Sequence, residues 1–174
     1  MKIETDELEA MKQIIREATI ELMDCGGTKP KATCEVVAED HPELYAAVGA
    51  DRVLTLCWEI EHSSDPTESA WLQEVFATFN AKYFNGQLRD FTVLGVYYAG
   101  EKWSLPGKGP LSGWVDFVNR AIHIRLTPRR KVMSEMLLHH MAYAAVVNDD
   151  AIEKAWFNEM LRLRELGAPT DSSI

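Results

Sequence analysis

The sequence predicts an α+β fold, in which a small three-stranded antiparallel sheet packs on a central buried helix. A mainly helical extension precedes this part of the chain. Three observations support the prediction. Apolar residues recur at helical spacing through much of the first 83 residues, strand and turn patterns occupy residues 91–126, and residues 127–147 are apolar on nearly all sides. A helix of this last kind is usually buried at the centre of its domain.

The first third of the chain is predicted to be helical. A helix begins near Thr5, carries an apolar stripe and ends at Gly26 and Gly27. Residues 28–33 are predicted to form a loop, and shorter helices follow near residues 42–48 and 51–61. Residues 53–58 are also rich in β-forming side chains, so a strand is the alternative there. The apolar stripe of the first helix consists of Leu8, Met11, Ile15, Ala18 and Leu22.

In the rest of the chain, the spacing of apolar residues changes from helical to strand-like and back to helical. After a break at residues 63–66, a helix carries an apolar stripe from Leu72 to Tyr83 and ends at Asn85 and Gly86. The predicted segments that follow are a strand (residues 91–98), a loop (99–110), a hairpin (113–118 and 121–126, joined at Asn119 and Arg120), a helix (127–147) and a last helix ending near Leu166. Thr127 is predicted to cap the helix of residues 127–147, with Pro128 at its first position.

Charge divides the chain unevenly. The net charge is −9, and residues 1–65 hold 15 acidic and 6 basic side chains, which accounts for the whole excess. We therefore expect an acidic, mainly helical region (residues 1–65), a second domain (66–169) and a polar tail (170–174). An acidic region of this kind is either a solvated face or an element that repels nucleic acid or docks on a basic partner.

The bulk composition favours a cytoplasmic protein that does not enter a membrane. No apolar run approaches the roughly 20 residues needed to span a bilayer. The first ten residues are acidic and polar, unlike a secretory signal. Three cysteines, with no C-x-x-C pair, favour free thiols over disulfides or a zinc cluster.

The apolar helix of residues 127–147 contains polar side chains that need partners. Glu135, His139 and Tyr143 are spaced four residues apart and form one line on the helix surface. His140 is rotated from His139 by about 100°, so the two histidines cannot easily bind one ion. From the residues alone, a hydrogen-bonded network of Glu135, His139 and Tyr143 is the first interpretation, and a metal or catalytic site is the second.

The order of these segments resembles a known family, the SprT-like zinc metallopeptidase domains. Residues 79–88 (FNAKYFNGQL) are similar to the "FN..YF.g.L" stretch that precedes the family's first strand. Residues 135–144 (EMLLHHMAYA) resemble the family's zinc helix, E-x-L-L-H-E-M-x-H-A. Residues 156–163 (WFNEMLRL) resemble its last helix, and the similarity extends over residues 66–169. The resemblance implies a zincin-like, SprT-type domain.

The resemblance also identifies what is altered. In the family's H-E-x-x-H motif two histidines bind zinc and the glutamate is the general base. His139 keeps the first ligand, His140 stands at the glutamate position and Tyr143 at the second histidine. Glu153 stands at the third histidine, or Asp149 or Asp150 if the alignment slips. The resemblance thus implies metal positions His139, Tyr143 and Glu153, with His140 at the catalytic position.

These replacements are unfavourable for zinc hydrolysis, because tyrosine binds zinc well only as phenolate and two dependable ligands are too few. We therefore expect a pseudopeptidase that binds a protein partner and holds no cofactor, with zinc as the alternative. A metal-dependent hydrolase using His139, Tyr143 and Glu153 is a second hypothesis. A nucleic-acid-associated accessory protein is a third, with Lys102, Trp103 and Lys108 offering a stacking site for single strands.

Overall fold

The helical and strand-like patterns fold into an α+β arrangement that is mainly helical. The computed structural model describes residues 5–24, 30–97 and 113–170. The predicted features at Gly26 and Gly27, in the loop at residues 99–110 and in residues 171–174 of the tail lie outside these ranges. The elements are α1 (Thr5–Asp24), α2 (Pro30–Asp40), α3 (Pro42–Val48), α4 (Ala50–Glu61), β1 (Ser64–Asp65), α5 (Pro66–Tyr83), β2 (Thr92–Val96), β3 (Gly113–Asp116), β4 (Ala121–Arg125), α6 (Arg130–Val146) and α7 (Ile152–Glu165).

The chain divides into two compact units. The N-terminal unit comprises residues 1–64, 96–98 and 126–128, and the C-terminal unit comprises residues 65–95, 99–125 and 129–174. Within the described residues, none of the helices combines the length and apolar character needed to cross a bilayer.

In its described part, the N-terminal unit contains a cluster of four helices, α1 to α4. Its core includes Met11 and Ile15 from α1, Val37 from α2 and Val53 from α4, all fully buried. Helix α2 was not predicted, because its first residues were assigned to a loop. Pro30 occupies the first helical position, where the missing N–H is tolerated, and α2 then packs on α1.

The sheet corrects the prediction of three antiparallel strands. Among the residues that the structure describes, it has four strands in the order β1-β2-β4-β3, and it is mixed. The hairpin β3–β4 is antiparallel, with Gly113 opposite Ile124 and Trp114 opposite His123. Thr92 N–H donates to Arg120 O, and Leu126 N–H donates to Val96 O, both at 2.9 Å, so β2 and β4 run in the same direction. The hairpin is encoded locally, whereas the β2–β4 pairing joins distant segments that no turn signal relates.

Helix α5 holds the C-terminal unit together through side chains that reach backbone groups. The Asp65 carboxylate caps the helix by accepting from Thr67 N–H and Glu68 N–H, each at 2.9 Å. The amide of Asn80 donates to Leu88 O at 3.2 Å and accepts from Leu88 N–H at 3.1 Å. These bonds fix the turn that leads from α5 towards β2.

Helix α6 begins later than predicted. Thr127 is not its cap and Pro128 is not its first residue, because the chain still follows the sheet at Leu126. The helix starts at Arg130, whose guanidinium donates to the Glu68 carboxylate at 2.8 and 3.2 Å. One broad side of α6 is buried, whereas Ala145 is exposed. The buried side chains of α6 are Met133, Leu137, Leu138, Met141, Ala142 and Ala144.

Candidate functional site

The two adjacent histidines of α6 face different neighbours. The ring of His139 lies 6.0 Å from the ring of Trp156 on α7, at an interplanar angle of 64°. The indole Nε1–H of Trp156 also donates to the backbone carbonyl of His139 at 3.4 Å. His139 therefore belongs to the α6–α7 contact, in agreement with the rotation expected between successive helical residues.

His140 faces the β3–β4 hairpin instead. Its Nε2 lies 3.1 Å from the point that a Cβ atom on Gly113 would occupy. Burial, and to a smaller extent the neighbouring His139, lower the pKa of His140 to about 4. The imidazole of His140 is therefore neutral at pH 7, and it is a weak base there.

Gly113 is the residue that lets the hairpin close in this way. A Cβ atom at this position would lie 2.0 Å from the backbone oxygen of His123, which is far inside van der Waals contact. Glycine alone avoids this collision, so the hairpin and the space beside His140 depend on it. A glycine at the start of a predicted strand indicates a close approach of other atoms. The sequence does not show which atoms these are, because His123 belongs to β4 and His140 to α6.

The other predicted site residues are distributed along α6 and α7. The Tyr143 ring lies 6.0 Å from the ring of Phe117 in the hairpin turn. Glu135 Oε1 lies 3.8 Å from Lys131 Nζ, one helical turn earlier. Glu153 is exposed in the first turn of α7. On α7, the residue that contacts His139 is Trp156, three positions after Glu153. The network of Glu135, His139 and Tyr143 stays a prediction.

The hairpin carries a second aromatic cluster that the sequence did not indicate. The rings of Trp114 and His123 stack at a centroid distance of 4.0 Å and an angle of 7°. Burial lowers the pKa of His123, and the nearby Asp116 carboxylate partly opposes this shift. Asp116 in turn accepts from Val118 N–H and Asn119 N–H at 2.9 and 3.0 Å, and the Asn119 bonds are the main reason its own pKa is lowered. The predicted two-residue turn at Asn119 and Arg120 is wrong, because the turn spans residues 117–120 and pairs Asp116 with Ala121. The predicted register would have placed Trp114 opposite Arg125, whereas the observed register places it opposite His123.

The predicted metal positions were His139, Tyr143 and Glu153. Within residues 5–24, 30–97 and 113–170, no three or more His, Cys, Asp or Glu side chains are grouped closely enough to hold a metal ion. His139 and His140 diverge by helical geometry, and α7 approaches His139 with an indole, which is not a metal ligand. The chain matches no protein-family model, no curated protein and no solved structure.

Proposed function

We propose that this chain is a catalytically degenerate SprT-like metallopeptidase homologue, a pseudopeptidase that acts by binding a protein partner. The observation that best supports the proposal is the side chain that α7 brings to His139. The indole of Trp156 contacts His139, and Glu153 lies exposed in the first turn of the same helix. A zinc ion needs further N, O or S ligands beside the first histidine, and an indole supplies none.

The chemistry of His140 supports the same proposal. A general base is most effective when its pKa lies near the working pH. The pKa of His140 is lowered to about 4, because burial disfavours the imidazolium and His139 adds repulsion. At neutral pH the imidazole of His140 is therefore uncharged, whereas the glutamate that the family carries at this position is ordinarily an anion.

The resemblance also has a structural rationale in α5. Asn80, the first asparagine of the FNAKYFNGQL stretch, donates to and accepts from the backbone of Leu88. Tyr83, Phe84 and Leu88 from the same stretch are buried. The stretch that suggested the family is therefore a packing motif of this chain, and it is consistent with a fold retained while the chemistry is lost.

Metal content is the first test of the proposal. The protein is purified without added metal and its zinc is measured by elemental analysis, alongside His139→Ala and the exposed control His41→Ala. The proposal expects substoichiometric zinc in all three proteins. Stoichiometric zinc that is lost in His139→Ala and kept in His41→Ala would overturn the metal-free proposal in favour of an altered hydrolase.

Restoring the family pattern is the second test. The triple variant His140→Glu, Tyr143→His and Glu153→His is expected to bind zinc and to cleave an unfolded protein such as casein. A matched control changes the same positions to Gln, Phe and Gln. Parallel variants place the third histidine at Asp149 or Asp150, which covers the alternative alignments. Folded triple variants that bind no zinc in any of these versions would contradict the family assignment.

A further inference from the structure

Two cysteines of the N-terminal unit lie on neighbouring helices. Cys34 belongs to α2 and Cys57 to α4, and these two helices pack against each other. Both side chains are free thiols. The fold therefore brings together two thiols that are separated in the sequence by the whole of α3.

The contacts of Cys34 show that its thiol faces α3 and α4. Its Sγ lies 3.6 Å from the phenol oxygen of Tyr45, which belongs to α3. The pKa of Cys57 is raised first by burial and then by Cys34, which acts through charge and through a hydrogen bond between the two thiols. The pKa of the Tyr45 phenol is raised as well, chiefly by its hydrogen bond with Cys34 and in part by Cys57. The three side chains therefore form one cluster, in which the two sulfur atoms lie within reach of each other.

The two thiols differ in their access to solvent. Cys57 is fully buried, whereas Cys34 is only half-buried. An oxidant in solution can therefore reach Cys34 directly, and Cys57 only through Cys34. Burial also disfavours a charged thiolate at Cys57, so two thiolates on a soft metal ion are less favourable here than an uncharged product. The uncharged product open to two adjacent thiols is a disulfide.

We infer that Cys34 and Cys57 form a reversible oxidation site, at which a low-molecular-weight disulfide such as oxidised glutathione converts the two thiols into a disulfide that joins α2 to α4. The geometry that supports this site is the cluster of the two thiols and Tyr45 on three helices that pack together. The oxidation site goes beyond the proposed partner-binding function and does not depend on it.

The oxidation proceeds by two thiol–disulfide exchanges. Cys34 loses its proton and its thiolate attacks one sulfur of the small disulfide, whose S–S bond breaks and whose leaving thiolate takes up a proton. Cys57 then gives up its proton and attacks the Cys34 sulfur of the mixed disulfide, which releases the second small thiol. The protein thiols together lose two electrons and two protons, and the small disulfide gains them. The second exchange is intramolecular, so the oxidant never has to enter the core.

The test uses the full chain in a glutathione buffer. Reduced protein is incubated with oxidised glutathione at about pH 8, where an ordinary thiol is partly ionised, and the products are analysed by mass spectrometry without reduction. We expect a product that is lighter than the reduced protein by two hydrogen atoms and contains a peptide linking Cys34 to Cys57. Two adjacent thiols have an effective concentration of ~1 mM or more, so in ~0.1 mM reduced glutathione the linked form should exceed the mixed disulfide at least tenfold. Dithiothreitol should restore both thiols.

Single variants separate the two exchanges. Cys57→Ala removes the second thiol, so the mixed disulfide of Cys34 with glutathione should accumulate. Cys34→Ser removes the accessible thiol, so Cys57 should stay reduced. Cys25→Ser is the matched control, because Cys25 lies outside the described residues, and it should form the linked product at the wild-type rate.

The disulfide should form without moving the two helices apart. A cross-link between α2 and α4 restricts the unfolded chain, so the oxidised protein is expected to melt about 5 °C higher than the reduced protein. Circular dichroism should show the same helical content in both forms. These measurements use the wild type, so they hold even if a cysteine variant does not fold.

Three results would overturn the inference: a mixed disulfide at Cys34 that persists in the wild type, a linked peptide that contains Cys25, or an oxidised protein that melts at a lower temperature than the reduced one. Each of these results is independent of the metal and restoration tests. Zinc-dependent proteolysis would remove the proposed function and leave the oxidation site standing, whereas failure of the disulfide would leave the pseudopeptidase unaffected.

Discussion

At the scale of single residues, Gly113 sets the position of two histidines by lacking a side chain. A Cβ atom there would lie 2.0 Å from His123 O and 3.1 Å from His140 Nε2. We expect Gly113→Ala to lower the free energy of unfolding by at least ~2 kcal/mol, because the backbone of β4 must shift. Urea denaturation followed by circular dichroism measures this change.

Gly86→Ala is the matched control for that experiment. Gly86 has a φ of +71° with open space around it, so an added methyl group costs about 1 kcal/mol through backbone strain alone. Equal losses in the two variants would mean that the predicted collision at Gly113 does not occur.

Cys57 gives a second prediction, this time about reactivity. Burial, together with the smaller effects of the neighbouring Cys34 and Glu61, raises the pKa of this thiol to about 12. Since the thiolate is the reactive form, we expect Cys57 to resist iodoacetamide at about pH 8 in the folded protein and to react in concentrated guanidinium chloride. Peptide mass spectrometry after brief labelling reads out the difference. Rapid modification of Cys57 in the native protein would contradict the prediction.

The same shift has a defined sign for stability. The folded-state pKa of Cys57 lies above the thiol's ordinary value of about 9, so folding favours the protonated thiol. Its stabilising contribution is present below about pH 9 and is lost as the pH rises towards 12. Alkaline conditions should therefore unfold the wild type more readily than Cys57→Ala, relative to each protein's stability at pH 7.

Residue-level expectations succeeded where the helix itself determines the geometry. The rotation between His139 and His140 follows from 3.6 residues per turn, and the two rings do meet different neighbours. The neighbours of the two histidines could not be predicted from the sequence, because Trp156 and Gly113 belong to other elements. Residues distant in the chain meet only through packing, and local periodicity carries no information about it.

At the scale of elements, Asn80 links the end of α5 to the turn that follows. We expect Asn80→Ala to destabilise the protein by about 2 kcal/mol, since two partly buried hydrogen bonds to Leu88 are lost. Asn80→Asp keeps the acceptor for Leu88 N–H but loses the donor to Leu88 O, so its loss should be intermediate. Chemical denaturation ranks the three proteins. Wild-type stability in Asn80→Ala would show that the two bonds contribute nothing to folding.

Elements were predicted correctly where the residues at their ends and their side-chain pattern favour one structure. Helix α3 has the predicted bounds, because Pro42 and Gly49 delimit it. Helix α4 formed despite the β-rich side chains of residues 53–58, since packing on α1 and α2 outweighs propensity. Helix α2 was missed because Pro30 resembles a loop residue, and the start of α6 was misplaced because Thr127 also fits a cap.

At the scale of the whole molecule, the concentration of charge in residues 1–65 should make stability depend on salt. Repulsion among 15 acidic side chains opposes folding, and salt shortens the range of that repulsion from about 30 Å at 0.01 M to about 8 Å at 0.15 M. We expect the melting temperature to rise by about 2–4 °C over this range, which corresponds to about 1 kcal/mol.

Calorimetry at the two salt concentrations measures this effect. The variant with Glu35→Gln, Glu39→Gln and Glu43→Gln, which removes three of the charges, should respond less. A melting temperature that falls with salt would mean that ion pairs such as Arg130 with Glu68 outweigh the repulsion.

The parallel pairing of β2 with β4 has a consequence for how the protein is made. On the ribosome, β2 emerges before β4 by the length of residues 97–120, which at ~5–20 residues per second is a delay of a few seconds. A hairpin such as β3–β4 forms within microseconds once both strands are available. During synthesis, β2 is therefore the strand that remains without its partner β4. Thr92–Val96 is a short, uncharged, β-prone segment, the kind that self-associates when exposed. Nascent chains halted after β2 has left the ribosome and before β4 has left it should therefore be the ones that need chaperone protection most.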